Sequence, residues 1–178
     1  SRATWSLYDN GDMVISGQGT MKLKDEDYNY EYDVQDHYDS RIRNLIIEEG
    51  ITALDDEVFE NFITVETVSF PDTLVSIGRL AFRNCTGITS LVIPDSVTSV
   101  SSYAFEGCTG LINLNLSDNL KVLESSVFGN CSNLKSVTLP SALEEITVNS
   151  ENAFEKCEYL ESFAISQENK NYTVVDGV

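Results

Sequence analysis

From residue 45 onward, apolar residues recur in pairs separated by one position: Leu45/Ile47, Val68/Phe70, Leu91/Ile93, Leu114/Leu116, Val137/Leu139 and Phe163/Ile165. Such alternation marks a strand with one buried face, so Leu91 and Ile93 point inward while Ser90 and Val92 point out. Strands of about three to five residues are implied. Pro71, Pro94 and Pro140 directly follow their pairs, and since proline cannot donate a ladder hydrogen bond, the strands end there.

Further rows keep one period. Phe59, Phe82, Phe105 and Phe128 fall every 23 residues, and Phe154 follows 26 later. A small residue precedes each Phe (Val58, Ala81, Ala104, Val127, Ala153). Cys85, Cys108, Cys131 and Cys157 follow it by three, with Phe62 taking that slot in the first unit. Leu54, Ile77, Val100, Leu123 and Ile146 make another row, and Val65, Ile88, Leu111, Leu134 and Leu160 one more. Ala81, Cys85 and Ile88, spaced four and three apart, predict a short helical turn with one face on the core. Gly87, Gly110 and Asn133 then stand where a left-handed residue commonly closes a helix. The unit is strand, bend, short helix, turn, and stacking such units builds a continuous core that no single unit has.

Residues 1–41 are assigned to an amino-terminal cap segment, and residues 42–178 to about five units of 23–26 residues plus an incomplete last one. Met13-Val14-Ile15, after Asp9-Asn10-Gly11-Asp12, predicts a strand leaving a tight hairpin turn, with Trp5 and Leu7 on its partner. A repeat stack exposes an apolar cross-section at each end, so a cap here serves solubility. Tyr28, Tyr30 and Tyr32 alternate, with Tyr38 nearby, and form either part of the cap or a secondary contact surface for glycans or peptides. The extra residues around Thr147-Val148-Asn149-Ser150 fit an outward loop, tolerated or ligand-contacting. Ser117 replaces the proline of the third unit without threatening the fold. The run from Gln167 to Val178 stops at a hairpin signal, Asp176-Gly177, with no second strand, as expected of a fragment of a longer protein.

Composition narrows the function classes. At 178 residues and 42% hydrophobic content the chain suits one domain with a real core, which excludes disorder. Eleven Lys and Arg against 29 Asp and Glu give a formal charge of −18, which repels nucleic acid and anionic lipid. There is no apolar run of about 18 residues to insert into a bilayer. The start Ser1-Arg2-Ala3-Thr4-Trp5 has no signal-peptide stretch, although a signal already cleaved is compatible with it.

Chemistry finds few footholds. Asp25, Glu26, Asp27, Glu31, Asp33, Asp36 and Asp39 crowd one stretch, but a calcium loop read from Asp27 puts Tyr32 where a glycine is needed and Tyr38 where a bidentate Glu belongs. Cysteines 23 apart are not a zinc pattern. Nor are they expected to form disulfides: equivalent positions project in parallel, whereas a bridge needs converging Cβ vectors. Four buried, reduced, unreactive thiols are expected. His37 is the only histidine, no Gly-x-Ser-x-Gly elbow exists, and Gly17-Gln18-Gly19 lacks the lysine of a phosphate loop. No catalytic, cofactor or metal site is expected.

The pattern Ile88-x-x-Leu91-x-Ile93-Pro94-x-Ser96-Val97-x-x-Val100-x-x-x-Ala104-Phe105-x-x-Cys108 resembles the BspA-type leucine-rich repeat of bacterial surface proteins. The opening Trp5-Ser6-Leu7-Tyr8-Asp9-Asn10-Gly11-Asp12-Met13-Val14-Ile15-Ser16-Gly17 is similar to the segment that often precedes such repeats. The resemblance implies an α/β solenoid: a right-handed leucine-rich-repeat superhelix with short strands on the concave side, helical turns on the other and a hairpin-like cap. It also implies a secreted or cell-surface protein of a bacterium, with adhesion or protein–protein interaction as its role. The candidate binding surface is then the outward strand row: Asn44, Ile46, Thr67, Ser69, Ser90, Val92, Asn113, Asn115, Ser136, Thr138 and Ser162, with Ala164 at its end. It is a low-charge strip of six strands, or about 25–30 Å, suited to a protein or glycan partner. The alternative is a structural spacer that presents another domain of a longer surface protein.

Overall fold

A computed structural model of the chain describes residues 3–22, 39–147, 152–165 and 168–172. Two rows of short strands run along a stack of repeats. The first contains β2 (Asp12–Ser16), β4 (Asn44–Ile47), β6 (Thr67–Ser69), β8 (Ser90–Val92), β10 (Asn113–Asn115), β12 (Ser136–Leu139) and β14 (Ser162–Ile165). The second contains β3 (Gly19–Met21), β5 (Ile51–Leu54), β7 (Ser76–Ile77), β9 (Ser99–Val100), β11 (Val122–Leu123) and β13 (Glu145–Ile146). Pairing within each row is parallel and keeps equivalent residues in register, as in Leu45↔Val68, Leu91↔Leu114 and Val137↔Phe163. Strands β6 and β8, and β10 and β12, lie side by side without a continuous ladder between them.

The second row has its own cause. Leu54, Ile77, Val100 and Leu123 are buried, and each is the last residue of a two- to four-residue strand. These segments are too short to show alternation, so the sequence gives them as a matched apolar row rather than as strands.

The amino-terminal hairpin forms from β1 (Thr4–Leu7), antiparallel to β2 with Trp5↔Ile15 and Leu7↔Met13. Its three-residue loop closes with Gly11 at φ 89, a left-handed conformation that suits glycine. Strand β2 then pairs in parallel with β4, Asp12↔Asn44 to Ile15↔Ile47, so the first row starts 32 residues before the first apolar pair of the periodic series. Met13 and Ile15 are fully buried, and Ala3, Trp5 and Leu7 pack against the core beside them.

The expected helical turns do not form. Among the described residues the single helical element is a 3-10 turn at Asp39–Arg41. In their place stand tight turns with two left-handed residues per unit: Glu57 and Asn61, Leu80 and Asn84, Tyr103 and Gly107, Ser126 and Asn130. The reason lies in where the backbone donors go. Phe82 N donates to Ala104 O at 2.7 Å and Asn84 N to Glu106 O at 2.7 Å, in the neighbouring unit, and Phe105 N and Gly107 N do the same one unit on. Donors committed to the neighbour are unavailable for a bond four residues back. The left-handed residues therefore precede the small residue and the Cys, not follow the Cys as expected. Gly87 and Gly110 do not adopt positive φ. A Cβ on Gly87 would stand 2.5 Å from Val65 O, and one on Gly110 would strike Thr86 O, so close backbone approach explains both.

Inside the stack, Phe82, Phe105, Phe128 and Phe154 form a column of near-parallel rings with centroids 5.1, 5.5 and 5.8 Å apart. Each Cys thiol donates to the carbonyl of the Phe one unit earlier: Cys85 to Phe59 O, Cys108 to Phe82 O, Cys131 to Phe105 O and Cys157 to Phe128 O, at 3.2, 3.3, 3.4 and 3.2 Å. None of the four cysteines is in a disulfide; Cys85, Cys108 and Cys131 are buried and Cys157 is half-buried. Ser117, in the proline slot, is buried and donates to Val97 O at 2.7 Å while accepting from Asn119 N at 3.1 Å. Its hydroxyl thereby replaces the turn constraint of proline.

Toward the carboxyl end, Phe154, Leu160, Phe163 and Ile165 are half-buried where their counterparts one unit earlier, Phe128, Leu134, Val137 and Leu139, are buried. At the last strand of the second row, the Tyr172 hydroxyl accepts from Ile146 N at 3.2 Å and donates to Glu144 O at 3.3 Å.

Candidate functional site

The outward side chains of the first row form two parallel lines, held in register within β2–β4–β6, β8–β10 and β12–β14. One runs Asp12, Asn44, Thr67, Ser90, Asn113, Ser136, Ser162; the other runs Val14, Ile46, Ser69, Val92, Asn115, Thr138, Ala164. Every residue expected on the strip is there. Asp12, Val14, Asn44 and Ile46 are partly shielded and the rest are exposed, Val92 most notably at 56%. The row of six strands becomes seven with β2, which adds Asp12 and Val14. Met13 and Ile15 carry the same alternation as the later pairs, but they stand outside the 23-residue series that begins at Leu45.

Only Asp12 is ionisable along these lines. Carboxylates elsewhere are engaged at the unit edges: Glu49 Oε1 accepts from Asp72 N at 3.0 Å, Asp95 Oδ1 from Asp118 N at 2.9 Å, and Asp118 Oδ1 from Ser141 N at 3.1 Å. On the turn side, Arg83 bridges Glu60 and Glu106 at 3.3 and 3.1 Å, one unit to either side. Repetition thus uses acidic residues as ties between units and leaves the strand face low in charge.

The amino-terminal end of the face is organised by side-chain hydrogen bonds. Asp12 Oδ2 accepts from Asn10 Nδ2 at 2.7 Å, Asp12 Oδ1 from Asn44 Nδ2 at 2.7 Å, and Asn44 Oδ1 from Thr67 Oγ1 at 2.7 Å. The hairpin register sets Tyr8 opposite Asp12, with Tyr8 N donating to Asp12 O at 2.9 Å and the residue 56% exposed. Tyr8, Asp9, Asn10, Asp12 and Val14 line a shallow open depression. Nothing in the sequence singled out Tyr8, because one aromatic at a hairpin corner makes no pattern.

Three of the thiols have their ionisation disfavoured. Burial, aided by the neighbouring cysteine, pushes Cys108 and Cys131 well above the usual 9.0, and burial pushes Cys157 up to about 11. Such groups are poor nucleophiles at neutral pH. Tyr28, Tyr30, Tyr32 and Tyr38, His37, and the acidic stretch from Asp25 to Asp36 lie outside the described residues, as do Val148, Asn149 and Ser150 of the inserted loop. Among the described residues no three His, Cys, Asp or Glu side chains gather as a metal site would need, and no helix is long and apolar enough to cross a membrane.

The sequence model of the family described as BspA type Leucine rich repeat region matches residues 35–161 in six copies. Among solved structures, the chain is similar to a leucine-rich repeat protein from Eubacterium ventriosum, with a TM-score of 0.79 and 24% identity over 100% of this chain and 45% of that one. It is also similar to the pneumococcal vaccine antigen PcpA, with a TM-score of 0.66 and 18% identity over 99% of this chain and 51% of that one. A leucine rich cell surface protein from Faecalibacterium prausnitzii matches with a TM-score of 0.58 and 22% identity over 93% of this chain and 41% of that one. The chain therefore spans about half the length of these proteins or less. No curated protein sequence matches it.

Proposed function

Since the chain belongs to the BspA-type leucine-rich-repeat family, we propose that it is a non-catalytic binding module, secreted or displayed on a bacterial surface, that holds a protein partner against the outward face of its first strand row. The observation that carries this reading is the face itself: two exposed lines of small, nearly uncharged side chains in regular register, in a chain of net charge −18. A surface low in charge loses little on desolvation, and a mixed polar and aliphatic grid suits a protein contact. Two of the structural neighbours support display, one being described as a cell surface protein and the other as a vaccine antigen. Unreactive thiols favour binding over catalysis. The competing role is a spacer, which the same experiment separates. The chain is immobilised and titrated with host matrix proteins and bacterial surface proteins, beside the variants Ser90→Glu, Asn113→Glu and Ser136→Glu. Saturable binding weakened at least about tenfold by a charge on the face supports the module. Absence of saturable binding to every protein, or equal binding by all variants, refutes it.

A further inference from the structure

We infer that the depression at the hairpin end of the strand row is a binding site for a neutral glycan, with Tyr8 as the stacking platform and Asn10 and Asp12, braced by Asn44, as the hydroxyl-recognising pair. A pyranose presents an apolar C–H face and a rim of hydroxyls that both donate and accept. Its site therefore needs an exposed aromatic face next to planar groups that hydrogen-bond in fixed directions. Tyr8 supplies the first, at 56% exposure beside the depression.

Asn10 and Asp12 supply the second, with Asn44 holding Asp12 in place. Each amide hydrogen-bonds the carboxylate of Asp12 at 2.7 Å, and Thr67 at 2.7 Å fixes the far end. The ladder uses one acceptor position on each Asp12 oxygen and leaves lone pairs on both, along with a second N–H on each amide, so the groups are oriented before a ligand arrives. That reduces the ordering cost of binding. The depression is open and shallow, which suits the side of a sugar ring more than an anchoring side chain that needs a deep pocket. Asp9 and Asp12 at the site, within a chain of net charge −18, select against sialylated, sulfated or uronic acid glycans. The inference is independent of protein binding by the rest of the face: it uses a different ligand class and residues at the hairpin end.

The test is a printed array of neutral and acidic glycans probed with the labelled intact chain, followed by titration of the strongest neutral hit. Expected are signals confined to neutral glycans, an affinity loss of about tenfold or more for Tyr8→Ala, binding retained by Tyr8→Trp, and no change for Tyr159→Ala, a residue 58% exposed in the last repeat. Retention by Tyr8→Trp shows that the loss in Tyr8→Ala comes from the missing ring and not from a disturbed hairpin. An array without neutral signals, a preference for acidic glycans, or undiminished binding by Tyr8→Ala overturns the proposal.

Discussion

Replacing Phe105 by alanine tests whether stability belongs to the stack. The ring is fully buried, lies 5.1 Å from Phe82 and 5.5 Å from Phe128, and is nearly parallel to both, at 3° and 7°. Removing it forfeits about 2–3 kcal/mol of transfer free energy, and two lost ring contacts add about 1–2 kcal/mol. The total, about 3–5 kcal/mol, matches what buried Phe to Ala changes cost elsewhere. Phe154, half-buried at the carboxyl end, should cost about 2 kcal/mol. The assay is urea unfolding followed by two signals: far-UV circular dichroism for the whole stack, and fluorescence of Trp5, the only tryptophan, for the amino-terminal end. Phe105→Ala cuts the column in the middle, so both midpoints should fall, by about 2 M urea. Phe154→Ala weakens only the last interface, so dichroism should lose amplitude early while the Trp5 midpoint barely moves. If Phe154→Ala displaces the Trp5 midpoint as far as Phe105→Ala does, the chain melts as one globule and nearest-neighbour coupling is wrong. A cost under about 1 kcal/mol for Phe105→Ala would show that the column is not the core.

Three further outcomes follow from the same geometry. Alkylation in native buffer should spare Cys85, Cys108 and Cys131 and reach Cys157 slowly; after denaturation without reductant all four should react, and a loss of two hydrogens per cysteine pair would contradict the free thiols. Raised thiol pKa values link to stability with a definite sign. The unfolded thiols ionise near 9 while the folded ones stay protonated, so the contribution is complete below pH 9 and is lost as pH rises toward about 11, the folded value of Cys157. Thermal melts should therefore fall between pH 9 and 11, and a flat profile there would contradict the assignment. Finally, Gly87→Ala should destabilise by about 1–3 kcal/mol, because its Cβ would meet the Val65 and Ile63 carbonyls at 2.5 and 2.8 Å. A neutral or stabilising result in thermal denaturation would mean that the units part easily.

Sequence alone determined the period, the inward and outward faces of the first strand row, the Phe and Cys columns and the hairpin, because each depends on side-chain polarity repeating at fixed spacing. Leu91 must be buried and Ser90 exposed whatever surrounds them, since strand alternation is local. What tertiary structure decided is every feature that exists only between units. Ala81-Phe82-x-x-Cys85 has helical spacing, yet Phe82 N and Asn84 N bond to the next repeat, so left-handed turns replace a helix. Cys85 fills an apolar slot in the pattern, but its thiol bond to Phe59 O needs the previous repeat in place. The ladder from Asn10 through Asp12 and Asn44 to Thr67 joins residues up to 57 positions apart and becomes a site only when β2 takes the strand position before β4. Periodicity states which residues are equivalent; contact between equivalents, and the choice a backbone donor makes between its own turn and its neighbour, is settled only when the repeats stack.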